Sequence, residues 1–182
     1  DFDAAVENGD IVILDSSFDE KYLEAVLSTQ IDSDVIKDVA DELKIVYTPL
    51  HGAGITMVPD ALKAAGIKNL AIVAEQEVPN GDFPTLRFPN PEFPEAFDLG
   101  RVIADNIGSE LIVATDPDCD RVGVMAKDKT GEFKCISGNQ MGALLLDYII
   151  TAYKKSGDKK YLDAAVKAFD FYYQGLERDG FT

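Results

Sequence analysis

Aspartates stand at positions 116, 118 and 120, with Arg121 directly after them, in the run LIVATDPDCDRVG from Leu111 to Gly123. Three carboxylates within five residues repel one another and gain little from ordinary packing. A hard divalent cation such as Mg²⁺ takes oxygen ligands and removes that repulsion. Asp116, Asp118 and Asp120 are therefore candidate metal ligands, and Pro117 and the short Cys119 keep the loop between them compact. Arg121 adjoins the cage. Leu111 to Thr115 is near-continuous in apolar and small residues and reads as a buried strand delivering the loop. Val122 to Ala126 reads as the strand that leaves it.

Other chemistries share parts of this pattern. A solvated acidic turn after a strand is common. An EF-hand opens with D-x-D-x-D but needs Gly in sixth place and Glu in twelfth; those places hold Arg121 and Lys127, so the EF-hand fails. A haloacid-dehalogenase-type phosphatase puts a D-x-D-x-[TV] nucleophile after an apolar strand. Here the fifth position is Asp120, which leaves that reading open but incomplete. A non-catalytic metal-binding or interaction module would carry the same cage.

The cage needs strands and helices to hold it. Lys44 to Thr48 is a strand candidate that feeds the turn-rich Pro49-Leu50-His51-Gly52-Ala53-Gly54, and a helix follows from Met57 to Ala65 with Gly66 as its stop. His51 is the only histidine in the chain. Leu70 to Ala74 is a third strand, with Glu75-Gln76-Glu77 at its carboxyl end, where open α/β sheets place ligand-facing residues. Pro79 to Pro94 is a long irregular loop rich in Pro, Asn, Gly and Asp. A helix is expected over Glu95 to Ile107 with Ala96, Leu99, Ile103 and Ile107 inward, ended by Gly108. Asp128 to Gly131 is a hairpin turn joining 122–127 to 132–136. Nearer the amino end, Ile11 to Leu14 is a short strand candidate. Glu20 to Ser28 is a helix with Leu23, Val26 and Leu27 on one face, capped from within Ser16 to Asp19. Ile31 to Leu43 is a helix with Ile31, Val35, Val39 and Leu43 as its stripe. Asn139 to Lys155 is a helix expected to bury Leu144, Leu145, Tyr148 and Ile149. Tyr161 to Glu177 is another, its Phe169, Phe171, Tyr172 and Tyr173 read as packing surface.

Composition narrows the function. In 182 residues there are 17 basic and 33 acidic side chains, a net charge of −16. Such a surface argues against nucleic acid or an anionic membrane as partner. Phosphate recognition wants converging Arg, Lys or helix N-termini, and no basic cluster occurs, so the chain is not expected to hold a phosphorylated ligand unaided. Cys119 and Cys135 match no disulfide or zinc framework. No apolar run approaches 18 residues and no signal peptide is evident, which leads to an expected cytoplasmic location.

DPDCDR followed by VGV resembles the metal-binding loop of the α-D-phosphohexomutases, the phosphoglucomutase and phosphomannomutase superfamily. IVYTPLHGAG (Ile45 to Gly54) resembles the strand and turn that open that family's second domain. EQEVPNGDFPT (Glu75 to Thr85) with PNPE (Pro89 to Glu92) resembles its central connection, and SGNQMGALLLDYI (Ser137 to Ile149) the start of its third domain. The resemblance implies transfer of a phosphoryl group between the 1- and 6-positions of a hexose phosphate through a bisphosphate. A phosphoserine on another domain gives and regains the group. It also implies Mg²⁺ on Asp116, Asp118 and Asp120, with Arg121 and His51 near substrate or phosphate. The family's T-A-S-H-N-P, G-E-x-S and R-x-S-G-T loops have no match here. No catalytic serine is therefore expected in this chain, which is expected to be inactive alone. The implied fold is α/β, a small mixed, mainly parallel sheet sandwiched by helices. The expected divisions are a flank over 1–43, the metal-loop domain over 44–136, and the start of a following domain or helical segment over 137–182. Beyond about Gly157 the resemblance fades.

Overall fold

The computed structural model describes residues 1–30 and 33–178, the side chains of 171–178 excepted. In chain order the elements are α1 (Phe2–Glu7), α2 (Ser16–Leu27), α3 (Ser33–Val39), β1 (Lys44–Thr48), α4 (Val58–Ala64), β2 (Asn69–Ile72) and the single turn α5 (Ala74–Glu77). They continue with α6 (Asp98–Ile107), β3 (Leu111–Thr115), β4 (Val122–Lys127), β5 (Phe133–Ile136), α7 (Gly138–Ser156) and α8 (Lys159–Arg178). The sheet runs β2-β1-β3-β4-β5. β2, β1 and β3 are parallel; β3, β4 and β5 pair antiparallel. The three strands that alternate with helices are parallel, as βαβ connections require. β1 steps one way to β2, and the chain then crosses back over β1 to β3. Right-handed crossovers therefore put α4 and α6 on opposite faces.

Strand register decides which side chains meet α6. Val46 pairs with Ile112, and Ile112 with Met125, so these side chains share one face. With Leu50, Val73, Ala96, Phe97, Ala104 and Ala114 they form the core, and Leu99 and Ile103 of α6 pack onto it. A β-carbon on Gly100 of α6 would lie 3.0 Å from Ile112 Cγ2, so that glycine lets the helix sit close. Gly108, at φ +68° in the left-handed region, stops α6 before β3. The hairpin turn over Asp128 to Gly131 forms as expected: the Asp128 carboxylate accepts from the Thr130 amide at 2.8 Å, and Gly131 takes φ +84°.

Several peripheral elements differ from expectation. Ile11 to Leu14 forms no strand. These residues are exposed between α1 and α2, with no sheet edge beside them to satisfy a strand's backbone groups. The cap of α2 is Asp15, which accepts from the Ser17 amide, so the helix starts earlier than Glu20. Its Leu23, Val26 and Leu27 are half-buried as read. On α3, Val35 and Val39 face solvent, while Ile36 and Ala40 turn inward. Two stripes four residues apart were available, and packing near α4 selected the other one. Ile31 lies outside the described residues. Ile107, at the last turn of α6, is partly exposed. On α7, Leu144, Leu145 and Tyr148 are exposed and Ile149 is half-buried, because α7 leaves the sheet and packs against α8. Among the described side chains of this helix pair, the small residues Ala152 and Ala165 are the buried ones. Phe169 is exposed; the side chains of Phe171, Tyr172 and Tyr173 lie outside the described ones.

Candidate metal centre and its supporting turn

β3 is central in the sheet and ends at Thr115, so it delivers Asp116 at its carboxyl edge, where the loops of parallel strands gather. The chain reverses between Asp116 and Arg121. The Asp116 amide donates to the Arg121 carbonyl at 3.3 Å, and the Cys119 amide donates to the Asp116 carbonyl at 3.0 Å. Cys119 takes φ +62°, unusual for a residue with a side chain. In this loop one ligand oxygen from each of Asp116, Asp118 and Asp120 lies within 4.8 Å of the others.

The three carboxylates are not equivalent. Asp116 is buried; Asp118 and Asp120 are exposed. Burial alone would raise the Asp116 pKa. The Arg121 amide donates to its Oδ1 at 2.9 Å and Arg121 Nε to its Oδ2 at 2.7 Å. These charge-stabilising bonds outweigh burial and hold Asp116 below the ordinary carboxylate range. Asp120 moves the other way. Its hydrogen bond to Asp116, then the charges of Asp118 and Asp116, raise it. The guanidinium of Arg121 is raised in turn, chiefly by its bond to Asp116, and lies 3.8 Å from Asp120 Oδ1. The structure thus brings together four of the five residues singled out in the sequence. Both oxygens of Asp116 are engaged by Arg121 and the side chain is 1% exposed.

His51, the fifth, sits in the neighbouring turn with its ring facing away from the carboxylates. Nδ1 lies 3.2 Å from the Val78 carbonyl and Nε2 2.9 Å from Thr85 Oγ1. A carbonyl only accepts, so Nδ1 donates to Val78, and Nε2 pairs with the Thr85 hydroxyl. The chain of bonds continues. Gln76 Nε2 donates to Thr85 Oγ1 at 3.1 Å, Thr48 Oγ1 donates to Gln76 Oε1 at 2.6 Å, and the Leu50 amide donates to Thr48 Oγ1 at 3.2 Å. Two backbone bonds run parallel to it, from the His51 amide to Gln76 O and from the Asn80 amide to His51 O, each 3.0 Å. His51 therefore fastens the long loop after β2 to the turn after β1. The sequence offered Glu75-Gln76-Glu77 and the lone histidine as motifs. The pairing of Gln76 and His51 through Thr85 carried no spacing signal.

The turn after β1 also touches the acidic loop. The Ala53 amide donates to the Pro117 carbonyl at 2.8 Å. Tyr47 Oη and Thr115 Oγ1 are 2.9 Å apart, and burial pushes the Tyr47 phenol up to about 12, so it stays neutral. Two hollows flank the loop. One, about 590 Å³, is mostly apolar and bounded by Val26, Met57, Leu62, Asp118 and Cys119. The other, about 420 Å³, lies beside Arg121 and is bounded by Glu92, Val122, Ser137 and Gly138.

An α/β domain with a mixed sheet, helices on both faces and an acidic loop at the carboxyl end of its central strand is the class of protein these features define. Residues 20–131 match the family described as Phosphoglucomutase/phosphomannomutase, alpha/beta/alpha domain II, and the chain belongs to that family. It is 39% identical over 146 residues to a phosphoglucomutase of Staphylococcus saprophyticus, covering 80% of this chain and 26% of that protein. It is 36% identical over 163 residues to a phosphoribomutase of Saccharomyces cerevisiae, covering 86% of this chain and 26% of that one. A phosphoglucomutase/phosphomannomutase family protein of Burkholderia thailandensis shares the fold. Its TM-score is 0.54 at 22% identity, over 73% of this chain and 26% of that structure. The chain thus spans about a quarter of the length of these relatives. Among the described residues no helix is long and apolar enough to cross a membrane.

Proposed function

We propose that this chain is the Mg²⁺-binding domain of a cytoplasmic phosphohexomutase, with Asp116, Asp118 and Asp120 as the protein ligands. The observation that carries the reading is the convergence of three carboxylate oxygens within 4.8 Å in a member of this family. The donor set fits: all three are hard oxygen donors, and the raised Asp120 carboxyl marks a repulsion that a divalent cation relieves. When bound, the cation supplies charge neutralisation for a phosphoryl group in transit. The chain's own residues do the rest. Arg121 holds Asp116 ionised and oriented, and it borders the hollow of about 420 Å³ beside the loop, where a phosphate oxygen of the substrate would be received. His51 keeps the loop over 78–85 in place at the site's edge.

The substrate class is a sugar phosphate, and the phosphoserine, sugar-recognising and phosphate-binding parts belong to other segments of the parent enzyme. On this reading residues 44–136 are the metal-loop domain, 1–43 its lead-in, and 137–182 the start of a following domain or helical segment. The purified chain given glucose 1-phosphate is expected to form no glucose 6-phosphate. The full-length parent is expected to do so and to lose that activity with Asp118→Asn. Turnover by the chain alone, or an active Asp118→Asn parent, contradicts the proposal. Beryllium trifluoride trapping on Asp116, which a dehalogenase-type phosphatase requires, is expected to fail.

A further inference from the structure

The loop from Thr115 to Asp120 alternates. Its even positions carry the three carboxylates. Its odd positions are held against β1 and the turn after it: Thr115 by Tyr47 of the strand, Pro117 by Gly52 and Ala53 of the turn, and Cys119 near Gly54. The closeness of this seam is measured by what a side chain would meet. A β-carbon on Gly52 would overlap Pro117 Cα and lie 2.6 Å from its carbonyl oxygen. A β-carbon on Gly54 would overlap Tyr47 Oη, lie 2.6 Å from Thr115 Oγ1 and reach within 3.1 Å of Cys119 Sγ. All but the last contact are with backbone or with hydroxyls already bonded in the core, so the structure has little room to yield. The turn is itself held firmly: Leu50, at φ +48°, donates its amide to Thr48 Oγ1, and His51, at φ +62°, is fastened to Gln76 and the loop beyond it.

We propose that Gly52 and Gly54 are positioning residues for the acidic loop: their missing side chains let the turn after β1 press on positions 115, 117 and 119 and so set the spacing of the carboxylates at 116, 118 and 120. The inference rests on the metal reading above. It adds that cation affinity is controlled by residues that never touch the cation. Three ligands on a loop without a backing would spread under their own repulsion. A loop braced at every other residue keeps them together before the ion arrives, which is preorganisation.

The test is Mn²⁺ binding to the 182-residue chain, read by calorimetry and by the electron paramagnetic resonance of free Mn²⁺. The variants are Gly54→Ala, Gly81→Ala and Asp118→Asn, with circular dichroism and the thermal midpoint measured without metal. A β-carbon on Gly81 meets nothing within 4 Å, so that variant controls for glycine replacement as such. Gly54→Ala is expected to bind at least tenfold more weakly than the parent chain while keeping its helix and strand content, and Gly81→Ala to bind unchanged. A folded Gly54→Ala that binds like the parent overturns the positioning role and leaves the metal site standing. A parent chain that binds no more Mn²⁺ than Asp118→Asn overturns the metal reading, and this inference with it. Where Gly54→Ala does not fold, Tyr47→Phe alone is the probe. Loss of the Thr115 brace is expected to weaken Mn²⁺ binding a few-fold, and unchanged affinity refutes the proposal.

Discussion

Asp116 and Asp120 are the same residue type four positions apart, yet their protons are held in opposite senses. The difference lies in Arg121, which gives Asp116 a backbone N–H and a guanidinium N–H and leaves Asp120 at 3.8 Å. Asp116 titrates below its unfolded value, so the stability it contributes is complete above about pH 4. That contribution is lost as pH falls through the lower folded value. In EDTA, the thermal midpoint of the parent chain is therefore expected to fall more steeply below about pH 4 than that of Asp116→Asn. Parallel curves would show that the bonds to Arg121 do not stabilise the charged form. The run of three carboxylates and an arginine in six positions stood out in the sequence. The inequality of the carboxylates did not, since it depends on which carboxylate the fold buries.

At the scale of elements, the turn after β1 and the loop after β2 behave as one unit, joined by Thr48, Gln76, Thr85 and His51. Thr85→Val removes the hydroxyl that both the Gln76 amide and His51 Nε2 use. Leaving those buried groups unpaired is expected to cost about 1–3 kcal/mol and to speed amide hydrogen exchange over residues 78–85. A variant with parent-like stability and exchange would show the link to be incidental. The strands around the loop were legible from their apolar runs and from the breaks at Gly and Pro, and β1, β2 and β3 alternate with helices in a way that forces parallel pairing. What pattern could not supply was facing. Val35 and Ile36 each begin a plausible stripe on α3, and Leu144 and Leu145 look buried on a helix that packs chiefly against another helix. Ile11 to Leu14 has a strand's composition but no neighbouring edge. Each of these differences lies away from the sheet, where tertiary contacts rather than local period decide burial.

Over the whole molecule, a net charge of −16 on 182 residues means the folded chain repels itself. Salt screens that repulsion within a Debye length of about 10 Å at 0.1 M, so NaCl is expected to raise the thermal midpoint modestly. Mg²⁺ at equal ionic strength is expected to raise it further by binding the folded state. If the two salts act alike, the excess charge is only diffuse. On the proposed function the same balance leaves a phosphosugar site dependent on other segments: among the described residues Arg121 is the cation paired with the acidic loop, and it is already committed to Asp116. The most direct measurement is calorimetric titration of Mg²⁺ into the chain beside its Asp118→Asn variant. The account predicts one weak site, on the order of 10⁻⁴–10⁻³ M by analogy with the weakest oxygen-ligand Ca²⁺ sites, that disappears in the variant. Absence of binding to the parent chain, or binding that survives Asp118→Asn, would contradict it.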